Sequence, residues 1–189
     1  MESHKVLYQV THLTSRWSWT LAEQGQGGRG IEQMRQGLAA CRALGVELFR
    51  PLYLASLAEV YGKVGQVEEG LALLAEALAT VGRTGERVSE AELYRLKGEL
   101  TLAQSGVQSL ESGVQEEAKE CFQKAIEIAR HQQAKSLELR AVMSLSRLWQ
   151  QQGKQAKARQ LLAEIYGWFT EGFDTKDLQE AKALLERLT

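Results

Sequence analysis

Proline is almost absent from this 189-residue sequence, where Pro51 stands alone. Proline interrupts helices, and Ala, Leu, Glu, Gln and Arg, which are prominent here, favour them, so the chain is expected to be helical almost throughout. Cysteine is nearly absent as well. Cys41 and Cys121 stand far apart in the sequence, which leaves no disulfide framework and no short metal-binding spacing. Each falls inside a helical pattern and is expected to be a buried thiol in a reducing compartment. His4, His12 and His131 are scattered, whereas a metal site needs clustered ligands, so no metal is expected. Charge of one sign is missing too: 23 basic against 24 acidic residues give −1, which favours neither nucleic acid nor an anionic membrane as partner. No apolar run approaches the roughly 18 residues of a membrane span. No basic start leads into an apolar segment, so no signal peptide is expected and the cytoplasm is the expected location.

What the chain does have is a period. A cassette of a small residue, a bulky apolar one four places on, and a small or apolar one three further on occurs four times. The copies are Gly30/Met34/Gly37, Gly70/Leu74/Ala77, Ala118/Phe122/Ala125 and Ala158/Leu162/Ile165. Their steps are 70 − 30 = 40, 118 − 70 = 48 and 158 − 118 = 40, a constant period with one insertion. Repeats of this length are stacked supersecondary units, each unable to bury its apolar face alone. Apolar residues recur at three- and four-residue spacing along the chain. They predict helices over residues 6–21, 31–41, 54–64, 71–81, 93–103, 122–129, 142–149, 161–169 and 178–188. Glycines punctuate the pattern, residues 105–113 read as the inserted loop, and Asp174-Thr175 is expected to cap the last helix. Short connections require neighbouring helices to run antiparallel.

Three pairs share a longer pattern. The best copy is Leu54, Leu57-Ala58, Tyr61, Gly65, then Gly70, Leu74 and Ala77. Val142, Leu145-Ser146, Trp149, Gly153 lead into the last cassette, and Thr14, Trp17-Ser18, Leu21, Gly25 into the first. This resembles the tetratricopeptide repeat (TPR), in a variant of longer period like the C-terminal repeats of bacterial signalling ATPases related to the maltose-regulon activator and of class III nucleotide cyclases. The resemblance covers roughly residues 11–170. It implies an all-α, TPR-like α–α superhelix with repeats near 11–47, 51–87, 90–133 and 139–170, closed by a capping helix over 174–188. The whole chain, 1–189, reads as one helical-repeat domain. The third repeat is ambiguous. Leu93/Leu96/Leu100 form an apolar stripe but put Lys97 at the small site; Tyr94/Gly98/Thr101 fit the small site but put Lys97 in the core. The Leu stripe is preferred, because charge at a packed position is costly.

The small cassette residues Gly30, Gly70, Ala118 and Ala158 are expected where second helices meet first helices. Residues 25–30 spell G-x-G-x-x-G, but a dinucleotide site needs a preceding strand, and the block aligns with the turn at Gly65-Gln66. Ile31 follows Gly30 where a P-loop needs Lys. Glu68, Glu69, Glu116, Glu117 and Glu120 read as first-turn acids that complement helix dipoles. No catalytic constellation is legible, and neither enzyme activity nor a cofactor is expected.

The resemblance implies binding along first-helix positions between the core sites. Carried onto this sequence, these include Ser15 and Trp19, then Ala55, Glu59 and Lys63, then Arg140, Met143, Arg147 and Gln151. Arg140 and Arg147 are seven apart and share a face; they could hold a carboxylate or phosphate, or simply line a solvated face. Lys176, Gln179, Glu180, Lys182, Glu186 and Arg187 are expected on the polar outer side of the last helix. The expected function is a protein-interaction or sensory module, the tail of a bacterial multidomain regulator, with a protein or peptide partner. The alternative is an oligomerisation or intramolecular control element that pairs through the end helix and the Val6–Val10 stripe. That stripe, apolar from the start, also leads us to expect a piece of a longer protein.

Overall fold

In a computed structural model of the chain, the described residues are 27–43, 45, 49–104 and 112–188. They fold as eight helices with no strand among them: α1 (Gly27–Ala43), α2 (Arg50–Lys63), α3 (Val67–Thr84), α4 (Glu90–Gln104), α5 (Ser112–His131), α6 (Lys135–Gln151), α7 (Gln155–Tyr166) and α8 (Lys176–Arg187). The helix expected over residues 6–21 lies outside the described residues, as does most of the expected loop at 105–113. The remaining expectations each meet a helix. The one expected to reach Phe169 stops at Tyr166, because the chain turns at Gly167.

Local chemistry sets the ends. Pro51 sits in the first turn of α2, where its missing N–H removes no helical hydrogen bond. Gly65 (φ +80°) and Gly153 (φ +73°) form the tight turns after α2 and α6, in a left-handed conformation that only glycine adopts cheaply. Asp174-Thr175 requires a correction. Thr175 does occupy the N-cap position of α8, but its side chain caps nothing there. Its hydroxyl donates instead to the Gly172 carbonyl at 2.7 Å, closing the preceding turn.

A second glycine series follows α1 and α3: Gly45 (φ +67°) and Gly85 (φ +73°). The period carries it on, since 85 − 45 = 40 and 133 − 85 = 48, to Gln133, which holds φ +55°. A glutamine there bears the left-handed penalty that the glycines avoid. Gln133→Gly is expected to raise stability by about 1 kcal/mol, read as a rise in denaturation midpoint. A fall would show that the Gln133 amide, which donates to the Arg130 carbonyl at 2.8 Å, outweighs the strain.

The chain divides into two compact units, Met1–Ser89 and Glu90–Thr189. In the first, α2 packs against both α1 and α3. Met34, Leu57, Val60 and Tyr61 form a core, with Ile31, Leu38 and Leu73 against it. In the second, α4 and α5, then α6 and α7, make successive pairs. The first helices α4 and α6 also touch, and α8 closes over α6 and α7. One core runs through this unit, from Ala118, Phe122 and Ala125 through Val142, Leu145 and Trp149 to Leu162, Leu178 and Leu184. The four small cassette residues are all buried. At the last of them the backbones come close enough for Ser146 Oγ to donate to the Ala158 carbonyl at 3.3 Å. Cys41 and Cys121 are buried thiols.

The third repeat takes the Tyr94/Gly98/Thr101 register, not the Leu stripe preferred from the sequence. A Cβ built on Gly98 would lie 2.5 Å from the Phe122 ring, so Gly98 is the small site, in step with Ala58 (98 − 58 = 40) and Ser146 (146 − 98 = 48). Lys97 escapes the expected cost of a packed charge. Its stem is half-buried while its ammonium reaches Glu117 on α5 at 3.6 Å, as long cationic side chains commonly do. Leu93, Leu96 and Leu100 are buried all the same. Helix α4 is enclosed on more than one side, so an apolar stripe along it does not fix the register. The acids of α5 also depart from expectation. The helix begins at Ser112 with no acid in its first turn, so Glu116 and Glu117 serve as partners of Lys119 and Lys97 instead.

Candidate interaction face

The first helices α4 and α6 and the closing helix α8 each turn a row of charged side chains to the same face, and the rows interlock. On α4, Arg95 forks onto Glu92, with Nε to Oε2 at 2.8 Å and a terminal nitrogen to Oε1 at 2.7 Å. It also reaches Glu99 at 2.6 Å. On α6, Arg140 meets Glu92 at 3.1 Å on one side and Asp177 of α8 at 3.5 Å on the other. One helical turn on, the Ser144 hydroxyl donates to Glu99 at 2.7 Å. After another turn, Arg147 meets Glu180 of α8 at 2.9 Å. The result is a ladder of alternating charge across three helices.

Burial sharpens it at one end. Glu92 and Arg95 are 8% and 7% exposed, and charges so enclosed must be paired. Burial pushes the Glu92 carboxyl up. The hydrogen bond and charge of Arg95, with the charge of Arg140, outweigh that and hold it below its ordinary 4.5. Burial likewise lowers Arg95, but Glu92 and Glu99 more than compensate and raise it. Because the folded carboxyl is the stronger acid, its contribution to stability is complete above its unfolded value. That contribution is lost as pH falls through the lower folded one. Glu92→Gln is therefore expected to be less stable than the parent at neutral pH, with the gap closing as pH drops below about 4.5. Denaturant titrations across that range would read it, and a gap independent of pH would show that Glu92 acts by shape alone. Glu138 is a second such group. Burial raises it, while hydrogen bonds from Lys135 and Arg130 at 2.8 and 2.6 Å lower it further.

The candidate residues drawn from the sequence are scattered by this geometry. Arg140 and Arg147 do share a face, but each is already engaged by carboxylates of the chain itself. Met143, between them, is 3% exposed and belongs to the core, so it is not a surface residue of this face. Gln151 is exposed at the end of α6. Ala55 is buried, while Glu59 and Lys63, on α2, form an ion pair at 3.5 Å. Ser15 and Trp19 lie outside the described residues. On α8, Lys176, Gln179, Lys182, Glu186 and Arg187 are exposed as expected, whereas Glu180 is half-buried because it turns inward to Arg147. Sequence reasoning missed Glu92, Arg95, Glu99, Ser144 and Asp177. Trp168, 58% exposed, and Phe173 stand out on the connection before α8; Lys135 lies over the Trp168 ring at 5.8 Å.

The ladder consists of acids, bases and one hydroxyl. No group of three or more potential metal ligands occurs among the described residues, and no described helix is long and apolar enough to cross a membrane. Solved structures share the arrangement of helices. The chain superposes on two structures of a kinesin-light-chain-like protein of Podosopora anserina with nearly identical TPR-like repeats. The TM-scores are 0.67 and 0.66, at 19% identity, over 94% of this chain and 84% of that one. A thermophilic TPR protein of Thermus thermophilus gives 0.66 at 18% identity, over 94% of this chain and 80% of the other. The fold is a TPR-like α–α superhelix. No protein-family model matches the chain, and no curated protein matches it in sequence. On a TPR-like fold the ladder occupies the first-helix face.

Proposed function

We propose that the chain is a non-catalytic protein-interaction module that works as one repeat domain over residues 1–189. It would be the arm of a cytoplasmic bacterial multidomain regulator, taking a protein or peptide along its first-helix face. The observation that carries this reading is the TPR-like fold itself, since such folds serve as scaffolds for protein contacts. The balanced charge of the chain argues for a protein rather than a nucleic-acid partner. The ladder also refines the chemistry expected of that partner. Because Arg140 and Arg147 are already neutralised, a bound segment would be recognised by shape and by polar groups such as Gln151, and less by an anionic tail.

The test is selection of peptides from a random display library, followed by calorimetric titration of the enriched sequences. Binding that is abolished by Gln151→Trp, with the fold intact by circular dichroism, is the expected result. Recovery of no binding sequence, or binding indifferent to substitutions along the face, would overturn the reading. A stable dimer in sedimentation, unaffected by those substitutions, would instead favour the oligomerisation role.

A further inference from the structure

The charges of the ladder keep step with the repeat. The interval from Glu92 to Arg140 is 140 − 92 = 48, and that from Glu99 to Arg147 is 147 − 99 = 48. This is the same step that separates the cassettes of the second and third repeats. Equivalent places on successive first helices therefore carry opposite signs, acid on α4 and base on α6. On α8 the facing groups, Asp177 and Glu180, are acids again.

We propose that this alternation is an ordering device, which makes α6 the helix that can seat between α4 and α8 and rejects other neighbours. A repeat chain needs one. Its apolar contacts are built from similar cassettes, here Ala118/Phe122/Ala125 and Ala158/Leu162/Ile165, so apolar packing discriminates weakly between a correct and an incorrect neighbour. Exchange of segments between copies is the characteristic failure of such chains. With alternating signs, an α6 placed beside a second α6 sets Arg140 and Arg147 against their own kind. An α4 placed beside α8 sets Glu92 and Glu99 against Asp177 and Glu180, with one base, Arg95 of α4 itself, to share between the two α4 acids. Like charges brought together in this way are disfavoured, most where they are enclosed. Glu92 is almost fully enclosed, so water can do little to screen the error there. The hydroxyl of Ser144 on Glu99 adds a register mark, since a slide of one turn along α6 would carry it away from its acceptor. The exposed rungs need contribute little to the stability of the correct stack for this to work; what matters is the cost they impose on the wrong one.

The experiment uses the full chain and three variants. Arg140→Gln/Arg147→Gln removes the sign without reversing it. Arg147→Glu reverses one rung, and Arg147→Glu/Glu180→Arg restores that rung with its polarity exchanged. Sedimentation velocity and thermal denaturation are measured at low salt and at about 1 M salt, where exposed charges are screened. The glutamine variant is expected to keep a cooperative transition but to gain a concentration-dependent larger species relative to the parent. Arg147→Glu is expected to lower the denaturation midpoint by about 2–4 °C at low salt, much less at high salt, and the exchanged pair to recover it. The proposal is overturned if the glutamine variant sediments as the parent does at every concentration, or if the exchanged pair is no better than Arg147→Glu alone. Should the reversed variant fail to fold, the glutamine variant still decides.

Discussion

Truncating Phe122 is expected to remove about 3–5 kcal/mol of stability, a loss large enough to threaten folding of the Glu90–Thr189 unit. Among the described residues Phe122 is the largest of the fully buried side chains, and it belongs to the core shared by α5, α6, α7 and α8. Its ring also meets the backbone of α4 at Gly98, where there is no side chain to collapse into the space that Phe122→Ala would leave. The converse substitution tests the same contact from the other side. Gly98→Ala should gain about 1 kcal/mol in helix propensity. Its Cβ would nonetheless lie at 2.5–3.0 Å from three atoms of the Phe122 ring, an overpacking that costs about 1–3 kcal/mol. We expect a net loss in Gly98→Ala and a recovery when Phe122→Leu is combined with it. Equilibrium denaturation of the two single variants and the double variant gives the coupling directly. Additive effects would show that Gly98 and Phe122 are not in contact.

The second helices of the repeats were legible because their signal is local. Small, bulky and small residues at fixed spacing place one helix edge against another, whatever the rest of the protein does. Gly70, Ala118 and Ala158 of the cassettes are all buried. The first helices were harder, for a physical reason. Helix α4 is buried on more than one side, so Leu93, Leu96 and Leu100 compete with Tyr94 and Gly98 as the apparent core stripe. Only the neighbouring Phe122 distinguishes the two registers. That error hid the ladder as well, since Glu92 and Glu99 align with Arg140 and Arg147 only when Gly98 is the small site. Once the register is set, the opposite signs one repeat step apart are visible in the sequence. The partners on α8 are not, because Asp177 and Glu180 follow a turn whose path the period does not dictate. Met143 shows the complementary limit: its position in the repeat is that of a surface residue, but it is buried in the core of the unit.

Removal of the Arg95 guanidinium is expected to cost about 3–5 kcal/mol, in spite of the modest worth of most ion pairs. Arg95 and Glu92 are both enclosed, and the fork between them satisfies both carboxylate oxygens. In Arg95→Ala, Glu92 keeps only Arg140, which approaches from a partly solvated position at 3.1 Å, and a buried carboxylate loses most of its compensation. Arg95→Lys keeps the charge but cannot fork, so it should recover only part of the loss. The informative comparison is Arg95→Met/Glu92→Leu. Replacing both charges with apolar groups of similar size relieves the desolvation cost along with the pairing, and this is often neutral or stabilising. We therefore expect the double variant to be much closer to the parent than Arg95→Ala. Such a result would show that the fork tolerates replacement as a unit but not division. A double variant as unstable as Arg95→Ala would instead mean that Arg95 acts mainly through Glu99, its second partner at 2.6 Å. Measuring both at pH 7 and near pH 3 separates these cases, because protonating Glu92 at the lower pH should partly rescue Arg95→Ala and leave the double variant unchanged relative to the parent's own acid response.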